Sequence, residues 1–227
     1  GFQLHRDRER DRFNKLYGRS LLTEAGARQL VKEWVRESHG SPEPLDLGAG
    51  LVAGPFWTTR SGMGLWEAVQ GPLLRPLIEG KRILNLNPRN GTTSILMLRD
   101  GALEVRGLAR TRAQALQAER TRRLFEWRDQ RPYTFVSSPE PPTASYDIAL
   151  LLDPGAELTA EERDSLLAAA GSLAPLLVIG CGGTERPPSG VPGPDLSTRG
   201  FRVRPLPGPA LTPPLLVAER IDRAGAA

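Results

Sequence analysis

The stretch that most constrains this chain is KRILNLNPRNG, Lys81 to Gly91, followed by Thr92, Thr93 and Ser94. A basic pair leads into an apolar run, Ile83 to Leu86, which stops at a turn holding Pro88, Asn90 and Gly91. A helical pattern then opens with Ser94-Ile95-Leu96-Met97-Leu98. A buried strand feeding a turn at a helix N-terminus is how open α/β sheets build a ligand crevice. The stretch is read as the first βα unit of such a sheet, with most other elements assembling around it.

Beyond Lys81 the rhythm is one of alternating strands and helices, the sign of a largely parallel sheet. Strands are expected at Arg82–Leu86, Leu103–Leu108, Tyr133–Ser137, Tyr146–Leu152 and Pro175–Gly180. The helices between them are expected at Thr92–Leu98, Thr111–Trp127 and Thr159–Leu173. Thr159-Ala160-Glu161-Glu162 is a strong helix start, with a capping hydroxyl and acids in the first turn. After a glycine- and proline-rich stretch, Phe201–Pro205 and Leu215–Ile221 are close enough to pair as a hairpin.

Upstream, Arg6 to Arg12 alternates in sign, which suits a charged helix face or a linker. Thr23 to Ser38 has helical spacing through Leu30, Val31, Trp34 and Val35. Leu45 to Gly64 reads as a long loop covering something, with Phe56 and Trp57 available to stack on a ligand or to pack the loop down. Leu65 to Ile78 resumes helical spacing, interrupted at Pro72 and Pro76. The chain thus divides into an N-terminal helical extension with a lid-like loop, residues 1–79, and an α/β domain, residues 80–227.

Composition closes off several classes. A hydrophobic content of 39% in 227 residues suffices for a core. No apolar run approaches the roughly 20 residues of a membrane span, and Gly1 to Arg12 lacks the apolar centre of a signal peptide. A cytoplasmic protein without membrane attachment is expected. The single cysteine, Cys181, leaves no intrachain disulfide and no cysteine-built metal site, and His5 and His39 are too few for a histidine centre, so no metal is expected. The net charge is +4. Arg99 to Arg131 holds nine arginines against five acids, a local basic face that suits an anionic partner such as nucleic acid or, more blandly, a solvated helix.

Five alternating β/α steps closed by a terminal hairpin resemble the class I S-adenosylmethionine-dependent methyltransferases. The match runs from about Gly80 to Asp222, and TASYDIALLLDPGAELTAEERDSLLAAAGSLAPLLVIG looks like that family's fourth strand, helix and fifth strand. The resemblance implies a Rossmann-like methyltransferase fold, with a seven-stranded, mostly parallel sheet ending in an antiparallel hairpin. It also implies S-adenosylmethionine as cofactor. Two positions depart from the family's pattern. The acid expected after the first strand is Asn85, in front of a loop, Asn87-Pro88-Arg89-Asn90-Gly91, with one glycine instead of several. The acid expected on the ribose hydroxyls is Ala109, within Gly107-Leu108-Ala109-Arg110-Thr111. A separate run, Leu45-Asp46-Leu47-Gly48-Ala49-Gly50, spells the family's first motif but follows Pro42-Glu43-Pro44 and precedes Gly54-Pro55, so it lacks the strand and helix that give the motif meaning.

A ligand of such a sheet lies beyond the C-terminal strand ends. That places Asn85, Asn87, Arg89, Asn90, Gly91 and Thr92 at the first strand, Arg110 and Thr111 at the second, Ser137 and Ser138 at the third, and Asp153 at the fourth. With the resemblance, Asn85, Asn87, Asn90, Gly91, Thr92, Ala109, Arg110 and Ser137 are the expected cofactor positions. Asp153 is the candidate general base, unless Asp-Pro-Gly simply forms a turn. Arg89, Arg110 and the helix start at Thr92 favour an anionic group over a sulfonium. Two classes of function follow: a methyltransferase acting on a small hydroxylated or amino metabolite, or a cofactor-free methyltransferase-like domain that serves a protein or nucleic-acid partner as a scaffold.

Overall fold

The computed structural model describes residues 21–37, 45–46, 52–53, 66, 70–152, 158–180, 196, 200–206 and 215–221. Its elements, in chain order, are α1 (Glu24–Glu37), β1 (Leu45–Asp46), β2 (Val52–Ala53), α2 (Gly71–Ile78), β3 (Arg82–Asn85) and α3 (Thr92–Arg99). They continue as β4 (Glu104–Leu108), α4 (Arg112–Asp129), β5 (Phe135–Ser138), β6 (Ile148–Leu151), α5 (Ala160–Leu173), β7 (Leu176–Gly180), β8 (Phe201–Leu206) and β9 (Leu215–Arg220).

Seven strands form one sheet in the order β5-β4-β3-β6-β7-β9-β8. The first five are parallel, and β9 runs antiparallel to both β7 and β8. β3 and β6 therefore sit at the centre, where the order reverses. That is the topological switch point at which sheets of this kind open a crevice. The central strands ILN and IALL are buried on both faces, as apolar runs in parallel sheets require. The short β1 and β2 pair only with each other, so Leu45–Asp46 belongs to a separate two-stranded ladder; residues 47–50 of the glycine-rich run, like most of the loop around them, lie outside the described residues.

Alternation along the strands sorts the core in two. Ile83, Val105, Phe135, Ile148 and Val178 face α1 to α4, meeting Leu30 and Trp34 of α1, Leu74 and Ile78 of α2, Ile95 and Met97 of α3, and Phe125 of α4. Leu84, Leu86, Ala149, Leu151 and Leu177 face the other way, onto Leu167 and Ala170 of α5. Pro72 lies in the first turn of α2, where its missing N–H costs nothing, so the apolar pattern starts a helix there instead of breaking one. Thr159 and Glu162 form a reciprocal capping box that starts α5.

The connection from β5 to β6, residues 139–147, contains no helix. On the side of β5 away from Phe135, Val136 is consequently 54% exposed. Among the described residues no helix is long and apolar enough to cross a membrane.

Candidate functional site

The crevice begins where β3 ends. Asn85 is buried, and both ends of its amide are bonded: Nδ2 donates to Ser94 Oγ at 2.9 Å, and Oδ1 accepts from the Asn87 backbone N–H at 3.2 Å. A side chain tied to both the loop and the following helix acts as a brace. The loop then turns tightly, with the Gly91 N–H donating to the Pro88 carbonyl at 2.7 Å. Arg89 and Gly91 both have positive φ, 49° and 87°. Asn90 Oδ1 accepts from the Thr92 N–H at 3.0 Å, an Asx turn that sets the first residue of α3.

Both glycines of the crevice are explained by packing. A Cβ on Gly91 would lie 3.0 Å from the Cα and Cβ of Ala118 on α4 and 3.0 Å from Phe135 on β5. A Cβ on Gly107 of β4 would lie 2.9 Å from Cβ of Pro88 and 3.1 Å from Ser137 Oγ. Asn85, Gly107 and Ser137 stand abreast on β3, β4 and β5. Pro88 thus folds back over the row that they make and fills the space the Gly107 side chain leaves.

The same patch contains buried polar atoms with no hydrogen-bond partner among the described residues. They are Asn87 Nδ2 and Oδ1, Asn90 Nδ2, Thr92 Oγ1 and Ser137 Oγ. Each such group costs about 1–3 kcal/mol if nothing meets it. They sit on the turn after β3, at the start of α3 and on β5, near the strand ends where the sequence places a ligand.

The remaining expected positions have other tasks. Ala109 is buried and presents only a methyl, while its N–H pairs with the Ser138 carbonyl at 2.9 Å. Arg110 is exposed; its guanidinium meets Glu162 at 2.6 Å, and its N–H meets Gln114 Oε1 at 2.7 Å. The Glu162 carboxyl is held below its ordinary range, first by the Thr159 backbone N–H and further by Arg110. Thr111 caps α4 by accepting from the Gln114 N–H, and Ser138 Oγ accepts from the Glu140 N–H. Asp153, Phe56 and Trp57 lie outside the described residues, as do Cys181 and both histidines. No group of three or more metal-ligating side chains occurs among the described residues.

Sequence reasoning missed a polar cluster on α4. Arg122 and Glu126, which read as part of a basic solvated face, are buried and paired at 2.8 Å, and Glu119 also meets Arg122. The Arg–Glu spacing of four was the available signal. Other arginines of the basic stretch are also matched: Arg128 with Asp129 at 2.7 Å, and Arg99 with Asp129 at 3.9 Å. A separate cleft of about 290 Å³ lies between α2 and the C-terminal end of α3. Its Asp100 accepts from Trp66 Nε1 at 2.6 Å and Arg75 at 2.8 Å, so its charged floor is internally satisfied.

Strand order, antiparallel closure and a central β3–turn–α3 unit define the Rossmann-like fold of the class I S-adenosylmethionine-dependent methyltransferases, and this chain has that fold. No family model and no curated protein matches it. Solved structures do. Ribosomal protein L11 methylase from Lactobacillus delbrueckii subsp. bulgaricus is 11% identical over 78% of this chain and 98% of its own, with a TM-score of 0.53. Magnesium protoporphyrin IX methyltransferase from Synechocystis PCC 6803, with bound SAM, is 16% identical over 96% of each chain, with a TM-score of 0.50. A T. thermophilus 16S rRNA methyltransferase in complex with AdoMet and guanosine is 19% identical over 74% of this chain and 46% of its own, with a TM-score of 0.52. At these identities the likeness is one of fold.

Proposed function

We propose that this chain is a methyltransferase-fold module without a working S-adenosylmethionine site, serving as a scaffold or binding module in a larger assembly. The observation that carries the reading is the state of the first-strand end. The position that the methyltransferase pattern gives to a carboxylate is Asn85, a neutral amide bonded to Ser94 and the Asn87 N–H. Ribose hydroxyls need an acceptor at the end of β4, and Ala109 offers none from its side chain. The glycines that would let a cofactor approach the backbone are filled by Pro88 or pressed against Ala118 and Phe135. A sulfonium cofactor also carries an ammonium group, and the described residues of the turn bring it no carboxylate. The residues present do not fit the cofactor.

Calorimetric titration with S-adenosylmethionine and with its demethylated product tests this directly. No heat is expected at millimolar ligand; a micromolar dissociation constant for either would overturn the reading. The competing reading, methyl transfer to a small hydroxylated or amino metabolite, draws its support from the fold shared with cofactor-bound methyltransferases. It predicts the micromolar result.

A further inference from the structure

We infer that the outward face of α4 binds single-stranded nucleic acid through its phosphates. The inference deepens the reading just given, on which it rests, by naming the partner that the module serves.

α4 runs for 18 residues, Arg112 to Asp129, with five arginines and three acids. Its hydrogen bonds show how those charges are divided. Glu119 turns both carboxylate oxygens onto Arg122, one of them 2.9 Å from Nε. Glu126 meets the same guanidinium at 2.8 Å, and Asp129 meets Arg128 at 2.7 Å. All three acids are thus engaged by two of the helix's own arginines. Arg112 and Arg123 are exposed and form no ion pair among the described residues.

Spacing puts the other cations on one side. Arg112, Leu116, Arg120, Arg123 and Trp127 follow at intervals of four, four, three and four, which is the period of a single helix face. Ala118, Thr121 and Phe125, on the opposite side, are buried. The stripe therefore points away from the sheet. At a rise of about 1.5 Å per residue it extends roughly 22 Å, the length of about six nucleotides in a stacked strand. Guanidinium groups match phosphate oxygens in charge and in their forked geometry. Between the cations, Leu116 is 48% exposed and Trp127 is half-buried. Apolar ground of this kind favours a strand whose bases are free to lie on it, over a duplex that keeps its bases stacked inside.

The test titrates the full chain into a fluorescein-labelled oligouridine of about a dozen nucleotides and reads fluorescence anisotropy. Micromolar binding is expected at low salt. Phosphate contacts from the three arginines of the stripe give a log–log slope of about −2 against salt, so Kd should rise about a hundredfold for a tenfold rise in sodium chloride. Arg112→Gln combined with Arg123→Gln should flatten the slope to about −0.7 and weaken low-salt binding about tenfold or more, with the melting temperature unchanged. Lys81→Gln combined with Arg202→Gln removes the same charge from two exposed positions off the helix and should leave Kd and slope as they were. An equal loss in that second pair would make the attraction one of net charge and overturn the assigned face. A duplex of the same length bound as tightly would overturn the single strand. Displacement of the oligonucleotide by polyglutamate at equal charge would give the face to an acidic protein instead. No binding at low salt, the behaviour of a merely solvated helix, overturns the inference; if S-adenosylmethionine also gives no heat, the scaffold reading stands without this partner. Micromolar binding of S-adenosylmethionine overturns that reading, and with it the scaffold role given to the bound strand.

Discussion

Tyr133 shows how one side chain at the junction of α4 and β5 ties local chemistry to stability. Its hydroxyl donates to Asp129, its backbone N–H donates to Glu126 Oε1 at 2.9 Å, and Arg131 lies over its ring at 4.8 Å. Burial, and then the hydrogen bond to Asp129, push its pKa from 10.0 up to about 12. The folded state therefore prefers the neutral phenol more than the unfolded state does. That contribution is complete below pH 10 and is lost as the pH rises from 10 towards 12. Alkaline denaturation should accordingly steepen in that window, and Tyr133→Phe should flatten the slope there; an unchanged slope in the variant would remove Tyr133 from the account. The spacing pairs Glu126 with Arg122, but the burial of that pair was not legible in the sequence. A run of arginines with interspersed acids looks the same whether its helix face meets water or β5, and only the tertiary neighbours of Arg122 and Glu126 decide which.

At the scale of elements the sequence was largely readable. Strands expected at Arg82–Leu86 and Leu103–Leu108 form at Arg82–Asn85 and Glu104–Leu108, and the hairpin expected near the end of the chain is β8 with β9. Apolar runs of four or five residues between turn signals identify buried strands well. What the pattern could not show is why Gly91 and Gly107 are glycines. Their neighbours Ala118, Phe135 and Pro88 arrive from other elements, so a reading of the strand ends alone assigns Gly91 to a ligand and gives Gly107 no reason. The structure gives an expectation that separates the two. Gly107→Ala should destabilise by about 1–3 kcal/mol, the range for overpacking, because the new methyl meets the Pro88 ring. Pro88→Gly should recover a large part of that loss when combined with it. A double-mutant cycle in urea with no coupling between the two would show that Pro88 does not occupy the space over Gly107.

At the scale of the whole molecule, α1 is bound into the body that holds the sheet. Trp34 is fully buried; its Nε1 donates to Thr121 Oγ1 at 3.0 Å, and its carbonyl accepts from Gln117 Nε2 at 3.3 Å. Leu30 and Trp34 belong to the same apolar cluster as Ile83, Val105 and Phe125. Trp34→Ala should therefore cost about 3–5 kcal/mol and lower the melting of helix and sheet together, followed by circular dichroism and by fluorescence of the remaining tryptophans. If the first 79 residues form a separable extension, the sheet would instead melt where it did before. The hydrogen bonds found for the β3–α3 turn carry a last consequence. Asn85 to Ser94, Asn85 to Asn87, Pro88 to Gly91 and Asn90 to Thr92 all join groups that neither gain nor lose a proton in ordinary buffers. The mouth of the crevice thus keeps one shape from mild acid to mild alkali, and any dependence on acidity that this protein shows must originate in groups elsewhere or in what it binds.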